Sequence, residues 1–574
     1  MRSIEWCLSK ARLAALLTML TLASCAERGP PETIAVAANS SLDSLDADNR
    51  PNILLIVADD MGYTDLGSFG GEIDTPNLDY LAESGLKLSN FHTAPTCSPT
   101  RAMLLSGTDN HIAGLGAMAE AMPPNLKGRP GYEGYLNERV ASLPSLLQDA
   151  GYQTYMAGKW HLGQEEHNSP MARGFDQSYA LLDGAAGHFD MLAAVGPGQA
   201  RYRENRNLVE VPEDFYSTRF YVDKLIDYTK ANKNDNRPFF AYLAFTAPHW
   251  PLQAPEESIA KYKSVYDAGY DVLYKKRMEG LESKGLMPEG AKEWHRLPGE
   301  KSWDALSDQE KRYEARRMEI YAAMVDDMDV HTGRLLKHLE SIGERNNTLI
   351  IFISDNGADP GSMSNLPMFV NWVRDCCDSS FQNMGKANSL VWYGPNWARA
   401  GSAPYKGFKG LTSEGGIRVP AFIHFAGSKR QGEVSDTFIS VKDVMPTLLD
   451  FAGTTHPGDH YKGRDVAPIQ GKSMYSFLSG KADQVHTEDY VMGWEIFSNL
   501  AIRQGDWKIT QRPVNPMAQS NSTVEWELYN LKNDPSEQTD LAAKEPKKLE
   551  ELILHWDQYA KDNRIVLPEW KSGE

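Results

Sequence analysis

Cysteine is scarce in this chain: its 574 residues carry five, at positions 7, 25, 97, 376 and 377. None of the spacings is the C-x-x-C of a structural zinc site, and no disulfide framework is implied. Basic charge is in deficit as well, with 59 Lys and Arg against 77 Asp and Glu and a net charge of −18. That balance excludes a general nucleic-acid-binding function, which needs cations spread over a phosphate-facing surface. Long apolar runs are missing beyond Leu13 to Ala23, which is too short to span a bilayer, and no internal repeat is present. What remains is an ordinary globular composition, 41% hydrophobic and 24% charged, long enough for one large core and a smaller second one.

The N-terminus reads as an export signal: Arg2, Lys10 and Arg12, the apolar run, then Leu22-Ala23-Ser24-Cys25. Leu-Ala-Ser-Cys resembles a bacterial lipobox, which makes Cys25 the expected lipidated residue, residues 1–24 a lipoprotein-type signal peptide, and the location the periplasm or outer membrane. Its lipid would be the one membrane contact. Removing residues 1–24, with three basic residues and one acidic, leaves a charge of −20. Residues 25–50, rich in Ser, Ala, Asp and Pro, are expected to form a flexible tether. A protein this acidic that binds an anion must gather its cations locally, which draws attention to Arg101, Lys159 and Lys409.

Asn52 to Ala58 (NILLIVA) is uninterrupted apolar sequence ending in Asp59-Asp60, the pattern of a strand buried on both faces of a parallel sheet. Thr348 to Ser354 (TLIIFIS) ends likewise in Asp355-Asn356-Gly357, and Phe239 to Thr246 (FFAYLAFT) in Ala247-Pro248-His249. Helical stretches between them, such as Leu143 to Gly151 and Tyr313 to Gly343, complete the β-α alternation of a doubly wound α/β sheet, whose ligands gather at the carboxyl ends of its strands. Tyr490 to Arg503, Asp506 to Arg512 and Trp526 to Leu531 read as three short antiparallel strands, followed by a helix from about Lys544 to Lys561. The expected division is a large domain over 51–483 and a small subdomain over 484–574.

Asp59, Asp60, Asp355 and Asn356 offer hard oxygen ligands from two strand ends, suited to Ca²⁺ or Mg²⁺ and poorly suited to zinc. Between them in sequence lies Cys97-Ser98-Pro99-Thr100-Arg101, followed by Leu105-Ser106-Gly107. Gly151-Tyr152-Gln153-Thr154 runs on to Gly158-Lys159-Trp160-His161-Leu162-Gly163, where Lys159 and His161 alternate along an extended segment and so point to one face. His249 and Lys409, the latter ahead of Ser413-Glu414-Gly415-Gly416, complete the set; Lys406 lies three residues before Lys409 and competes with it for that place.

These motifs together resemble the type I, formylglycine-dependent sulfatases, in their bacterial arylsulfatase branch, from Pro51 to about Leu541. The resemblance implies an alkaline-phosphatase-like fold, with a large mixed β-sheet flanked by helices and a small C-terminal antiparallel sheet plus helix. It implies a sulfuric ester hydrolase in which Cys97 becomes formylglycine (3-oxoalanine) through a formylglycine-generating enzyme. One hydroxyl of the hydrated aldehyde would attack sulfur and the other later expel sulfate. The family's roles would fall to Asp59, Asp60, Asp355 and Asn356 as ligands of Ca²⁺ or Mg²⁺, Asp355 as base, Arg101 as support for the alkoxide, and His161 in sulfate release. Lys159 and Lys409 would bind the sulfuryl oxygens, with His249 at the leaving oxygen.

Val391-Trp392-Tyr393-Gly394-Pro395-Asn396-Trp397-Ala398 and Trp250-Pro251 bring aromatics next to site positions in sequence, which favours an aryl leaving group. A carbohydrate or alkyl sulfatase, a phosphonate or phosphodiester hydrolase on the same fold, and a non-catalytic lipoprotein that binds sulfated polymers are the alternatives. Cys376 and Cys377 are expected as two buried thiols rather than a strained vicinal bridge, and His188 as structural or solvent-exposed.

Overall fold

A computed structural model describes residues 50–569 apart from 195, 232–234, 362–366 and 513–524. Cys25, the signal and all but the last residue of the tether lie outside the described residues. Ten strands form the main sheet: β1 (Asn52–Ala58), β2 (Leu86–Leu88), β3 (Gln153–Lys159), β4 (Gln177–Leu181), β5 (Tyr202–Glu204), β6 (Asn207–Val209), β7 (Phe239–Ala244), β8 (Thr348–Ser354), β9 (Ala421–His424) and β10 (Glu433–Ser435). Their order is β10-β2-β9-β8-β1-β7-β3-β4-β5-β6. The central five, β8-β1-β7-β3-β4, are parallel, and the flanking pairs β9/β8 and β4/β5 are antiparallel. The sheet is therefore mixed, as expected.

The apolar runs explain the layering. Along β1, Leu54 and Ile56 enter one core and Ile53, Leu55 and Val57 the other, so the pleat feeds two buried faces at once. Helices cover both faces, among them α1 (Cys97–Ser106), α2 (Leu143–Asp149), α3 (Ser217–Ala231) and the long α4 (Asp308–Ser341). Ser307 and Glu310 close a capping box at the start of α4, five residues ahead of the sequence expectation. Among the described residues, no helix is long and apolar enough to cross a membrane.

The C-terminal sheet has four strands rather than three: β11 (Val491–Ile496), β12 (Asn499–Gln504), β13 (Trp507–Gln511) and β14 (Glu527–Asn530), followed by α5 (Pro546–Asp562). The segment read as one strand, Tyr490 to Arg503, is a hairpin turned at Phe497-Ser498, both with positive φ. Neither residue carries the Gly or Asn signal of such a turn, so the sequence hid it. Leu500, Ile502, Ile509 and Leu528 pack on Leu552 and Trp556 of α5, while Met492, Trp494 and Ala501 join the main core.

A buried ion triad ties this sheet to the segment that follows α1. His111 lies 2.8 Å from Asp109 Oδ1 and 3.2 Å from Glu495 Oε2 of β11. Burial opposes its charge, yet the two carboxylates raise its pKa to about 9. That folded value lies above the ordinary histidine value near 6.5, so the contribution is complete below that pH and is lost as pH rises through 9. We expect the wild type to lose up to about 3 kcal/mol more than His111→Gln does between pH 6.5 and 9.5, read from denaturation midpoints.

Cys376 and Cys377 correct the sequence reading. They form a vicinal disulfide, S–S 1.99 Å, and Cys376 is exposed while Cys377 is half-buried. Cys376 closes the helix Pro367–Cys376, whose end leaves it facing solvent.

Candidate active site

Four strand ends and one helix N-terminus meet above the carboxyl edge of the sheet. β1 delivers Asp59 and Asp60, β8 delivers Asp355 and Asn356, β3 ends on Lys159, and the chain leaving β7 carries His249. Helix α1, buried along its whole length, presents Cys97 as its first residue and Arg101 one turn later on the same side.

Gly158 sets the height of Lys159. It pairs with Ala244 of β7 at φ +122°, and a Cβ there would sit 1.7 Å from the Ala244 carbonyl oxygen, so only glycine lets the two strands close. Lys159 Nζ then reaches both oxygens of Asp59 at 2.8 Å. Arg101 donates from Nε at 2.9 Å and Nη2 at 2.7 Å to Asp355 Oδ2, and from Nη1 to the Lys159 carbonyl at 3.0 Å. Lys409 Nζ bridges Asp60 Oδ2 at 2.8 Å and Asp359 Oδ2 at 2.9 Å. Lys406 instead points to the Glu537 carbonyl at 3.0 Å, away from this cluster.

Burial and the neighbouring Asp355 and Asp60 push the Asp59 carboxyl up, to about 8, against the pull of Lys159. Asp355 is buried too, yet Arg101 and the two lysines hold it down at about 2, which keeps it ionised and weakens it as a base. The Cys97 thiol, 1% exposed and 3.5 Å from Asp60 Oδ1, is pushed well above its ordinary value by burial and by Asp355. An unmodified Cys97 is thus a neutral thiol at pH 7 and a poor nucleophile.

The donor set fits a hard divalent cation. Ligand atoms of Asp59, Asp60, Cys97 and Asp355 lie within 4.8 Å of one another, and Asn356 Oδ1 beside them is buried without a hydrogen-bond partner among the described residues. Three carboxylates and an amide oxygen suit Ca²⁺ or Mg²⁺.

His249 is buried, and burial with the charges of Lys409 and Lys159 lowers its pKa well below the histidine range. Its neutral ring bonds through Nδ1 to the Trp250 carbonyl and turns Nε2 toward Asp60 Oδ2, 3.3 Å away. Behind it, His188 is wholly buried, with Nδ1 2.8 Å from Ser217 Oγ and Nε2 3.1 Å from the His249 carbonyl. It is structural, one of the two readings given above.

Lys159 and His161 do not share an extended face. The strand stops at Lys159, Trp160 bonds back to Leu181, and His161 takes φ 53°, which swings its ring to Glu120. The aromatic run divides as well. Trp392 meets Trp250 at 6.1 Å, and Trp250 meets His249 at 5.0 Å. Tyr393 stacks on Tyr321 at 3.8 Å, and Trp397 is buried against Tyr270 and Trp303, both away from the site in the core.

Sequence reasoning missed Asp359 and Glu120. Asp359 carries a faint signal, four residues beyond Asp355, and binds both Lys409 and the Trp250 indole N–H at 3.0 Å. Glu120 has no local signal, since its partner His161 is 41 residues away.

Comparison with known proteins finds a family and relatives that span most of the chain. The Sulfatase family model matches residues 51–454, and the model for the C-terminal part of N-sulphoglucosamine sulphohydrolase matches 408–559. An uncharacterized sulfatase of Schizosaccharomyces pombe is 45% identical over 544 residues, 90% of this chain and 94% of that protein. An arylsulfatase of Klebsiella aerogenes is 39% identical over 439 residues, 75% and 93% of the two chains. The crystal structure of Ps i-CgsB in complex with k-i-k-neocarrahexaose superposes with a TM-score of 0.63 at 25% identity, covering 91% of this chain and 94% of that one.

Proposed function

The chain belongs to the sulfatase family and is a sulfuric ester hydrolase, and from that premise we propose that it is a formylglycine- and divalent-cation-dependent arylsulfatase. The observation that carries the reading is the gathering of Arg101, Lys159 and Lys409 with four carboxylates around a buried cysteine at a helix N-terminus. A sulfate ester brings three oxygens that share one negative charge, and charge builds on the bridging oxygen as the S–O bond breaks, so cations must meet both ends.

Formylglycine derived from Cys97 would supply a hydrated aldehyde, one hydroxyl for attack and one for release. Asp59, Asp60, Asp355 and Asn356 would hold the cation, Ca²⁺ or Mg²⁺, which neutralises their charge and polarises a sulfuryl oxygen. Arg101 keeps Asp355 ionised and fixed in direction. Lys159 and Lys409 hold the sulfuryl oxygens, and at the leaving oxygen, beside His249 Nε2, the ammonium of Lys409 neutralises the developing charge and is the proton source, with His161 assisting sulfate release. Conversion by a formylglycine-generating enzyme and export with a lipid on Cys25, to the periplasm or outer membrane, belong to the same proposal.

The aryl preference rests on the Trp250–Trp392 corner beside His249 and on the similarity to the Klebsiella aerogenes arylsulfatase. A phenol also leaves more readily than a sugar alcohol. The test is hydrolysis of 4-nitrophenyl sulfate beside a sulfated monosaccharide by protein whose Cys97 peptide has the mass of the aldehyde. Trp250→Ala should raise KM for the aryl ester about 3- to 10-fold, the value of one aromatic contact, and leave the sugar sulfate unaffected. No turnover of the aryl ester by the converted protein would transfer the assignment to sulfated sugars.

A further inference from the structure

Glu120 belongs to none of the recognisable motifs, yet it is the partner of a motif histidine. Its two carboxylate oxygens lie 3.1 and 3.2 Å from His161 Nε2. The other ring nitrogen, Nδ1, is buried and has no hydrogen-bond partner among the described residues. Gly184, on the loop after β4, presses on the same ring: a Cβ there would lie 2.8 Å from both Cε1 and Nε2 of His161 and 3.2 Å from Glu120 Oε1. The ring is thus held at one nitrogen by a charge and along one edge by bare backbone, with the second nitrogen left over.

The loop that carries Glu120 is itself pinned. Ala117, Leu126 and Tyr132 form a small buried cluster against Met122 and Val566. The Tyr132 hydroxyl donates to the Val566 carbonyl at 2.9 Å and accepts from the Val566 N–H at 2.8 Å. Asn125 bonds to the Leu567 carbonyl and the Glu569 N–H. Glu120 is a partly exposed carboxylate, and the bond from His161 Nε2 gives it a donor. The same bond fixes which ring nitrogen carries the held proton.

We propose that Glu120 is a positioning residue for sulfate-ester hydrolysis: with Gly184 it clamps the His161 ring so that Nδ1 is the nitrogen free to exchange a proton during turnover. This rests on the reading of His161 as a residue that assists sulfate release. It assigns a role to the 115–135 loop and to Gly184 that no sequence motif indicates.

A double-mutant cycle tests it, with kcat and KM for 4-nitrophenyl sulfate measured on the full chain with converted Cys97. Glu120 is partly exposed, its side chain 37% accessible, so Glu120→Gln should keep the wild-type unfolding midpoint. It should lower kcat roughly 10- to 100-fold, the usual cost of losing a histidine's orienting carboxylate, with KM within about two-fold. In the His161→Ala background it should lower kcat no further, and Gly184→Ala should show the same dependence on His161. A Glu120→Gln loss that persists undiminished in His161→Ala, or that appears in KM alone, overturns the clamp while the hydrolase reading stands on the wild-type turnover. A His161→Ala variant with wild-type kcat overturns the clamp together with the role given to His161.

Discussion

Replacing Cys97 with alanine should abolish turnover, by about 10⁴-fold or more, the usual result of deleting a nucleophile. The fold should survive it. Among the described residues Sγ makes one hydrogen bond, 3.5 Å to Asp60 Oδ1, and alanine removes that atom without leaving a charge unpaired. Serine should fail nearly as badly, since it has one hydroxyl where the proposed hydrolysis needs two, one to attack sulfur and one to collapse and expel sulfate. The measurement is 4-nitrophenyl sulfate hydrolysis by wild type, Cys97→Ala and Cys97→Ser, each with a thermal unfolding midpoint. Alanine retaining turnover within ten-fold of wild type would place the nucleophile elsewhere.

Arg101→Ala should have the largest effect on stability of any single change in the site. The guanidinium is 0% exposed and feeds two donors to Asp355 and one to the Lys159 carbonyl. Truncation strands a buried carboxylate and a buried carbonyl, at a cost of about 3–5 kcal/mol. Arg101→Lys should recover part of that charge but not the fork, because an ammonium cannot address Asp355 and the carbonyl in the same geometry. Adding Asp355→Asn to Arg101→Ala should restore part of the stability by removing the stranded charge. Guanidinium denaturation midpoints decide the matter; a loss below about 1 kcal/mol would mean that water or another cation replaces the guanidinium.

Strands such as Asn52–Ala58 and Thr348–Ser354 were legible because a strand buried on both faces is apolar through its middle, and the first charged residue marks where it has stopped. The same logic located the acids, since Asp59 and Asp355 are those first charged residues. Lys409 could be separated from Lys406 by spacing, and the structure places their ammonium groups far apart in function, one on Asp60 and one on Glu537. Contacts between distant segments were not legible. Nothing near Glu120 announces His161, and nothing in Trp392-Tyr393 tells which ring enters the core, because that is decided by Tyr321 on α4 and Trp250 after β7. The Phe497-Ser498 turn and the bonded Cys376–Cys377 pair failed for a related reason: each is a local geometry that its own residue types do not demand.

The depth of Cys97 also fixes an order of events. With 1% of its surface exposed and its helix buried from end to end, the thiol is closed to any protein-sized catalyst once the chain has folded. An enzyme that converts it must therefore work on the nascent or unfolded chain, in a race against collapse of the core. On the proposed conversion, molecules that fold first would be locked in as thiols, giving two pools that do not interchange. The specific activity of a preparation would then report the ratio of two rates, conversion and folding, rather than a property of the folded enzyme alone.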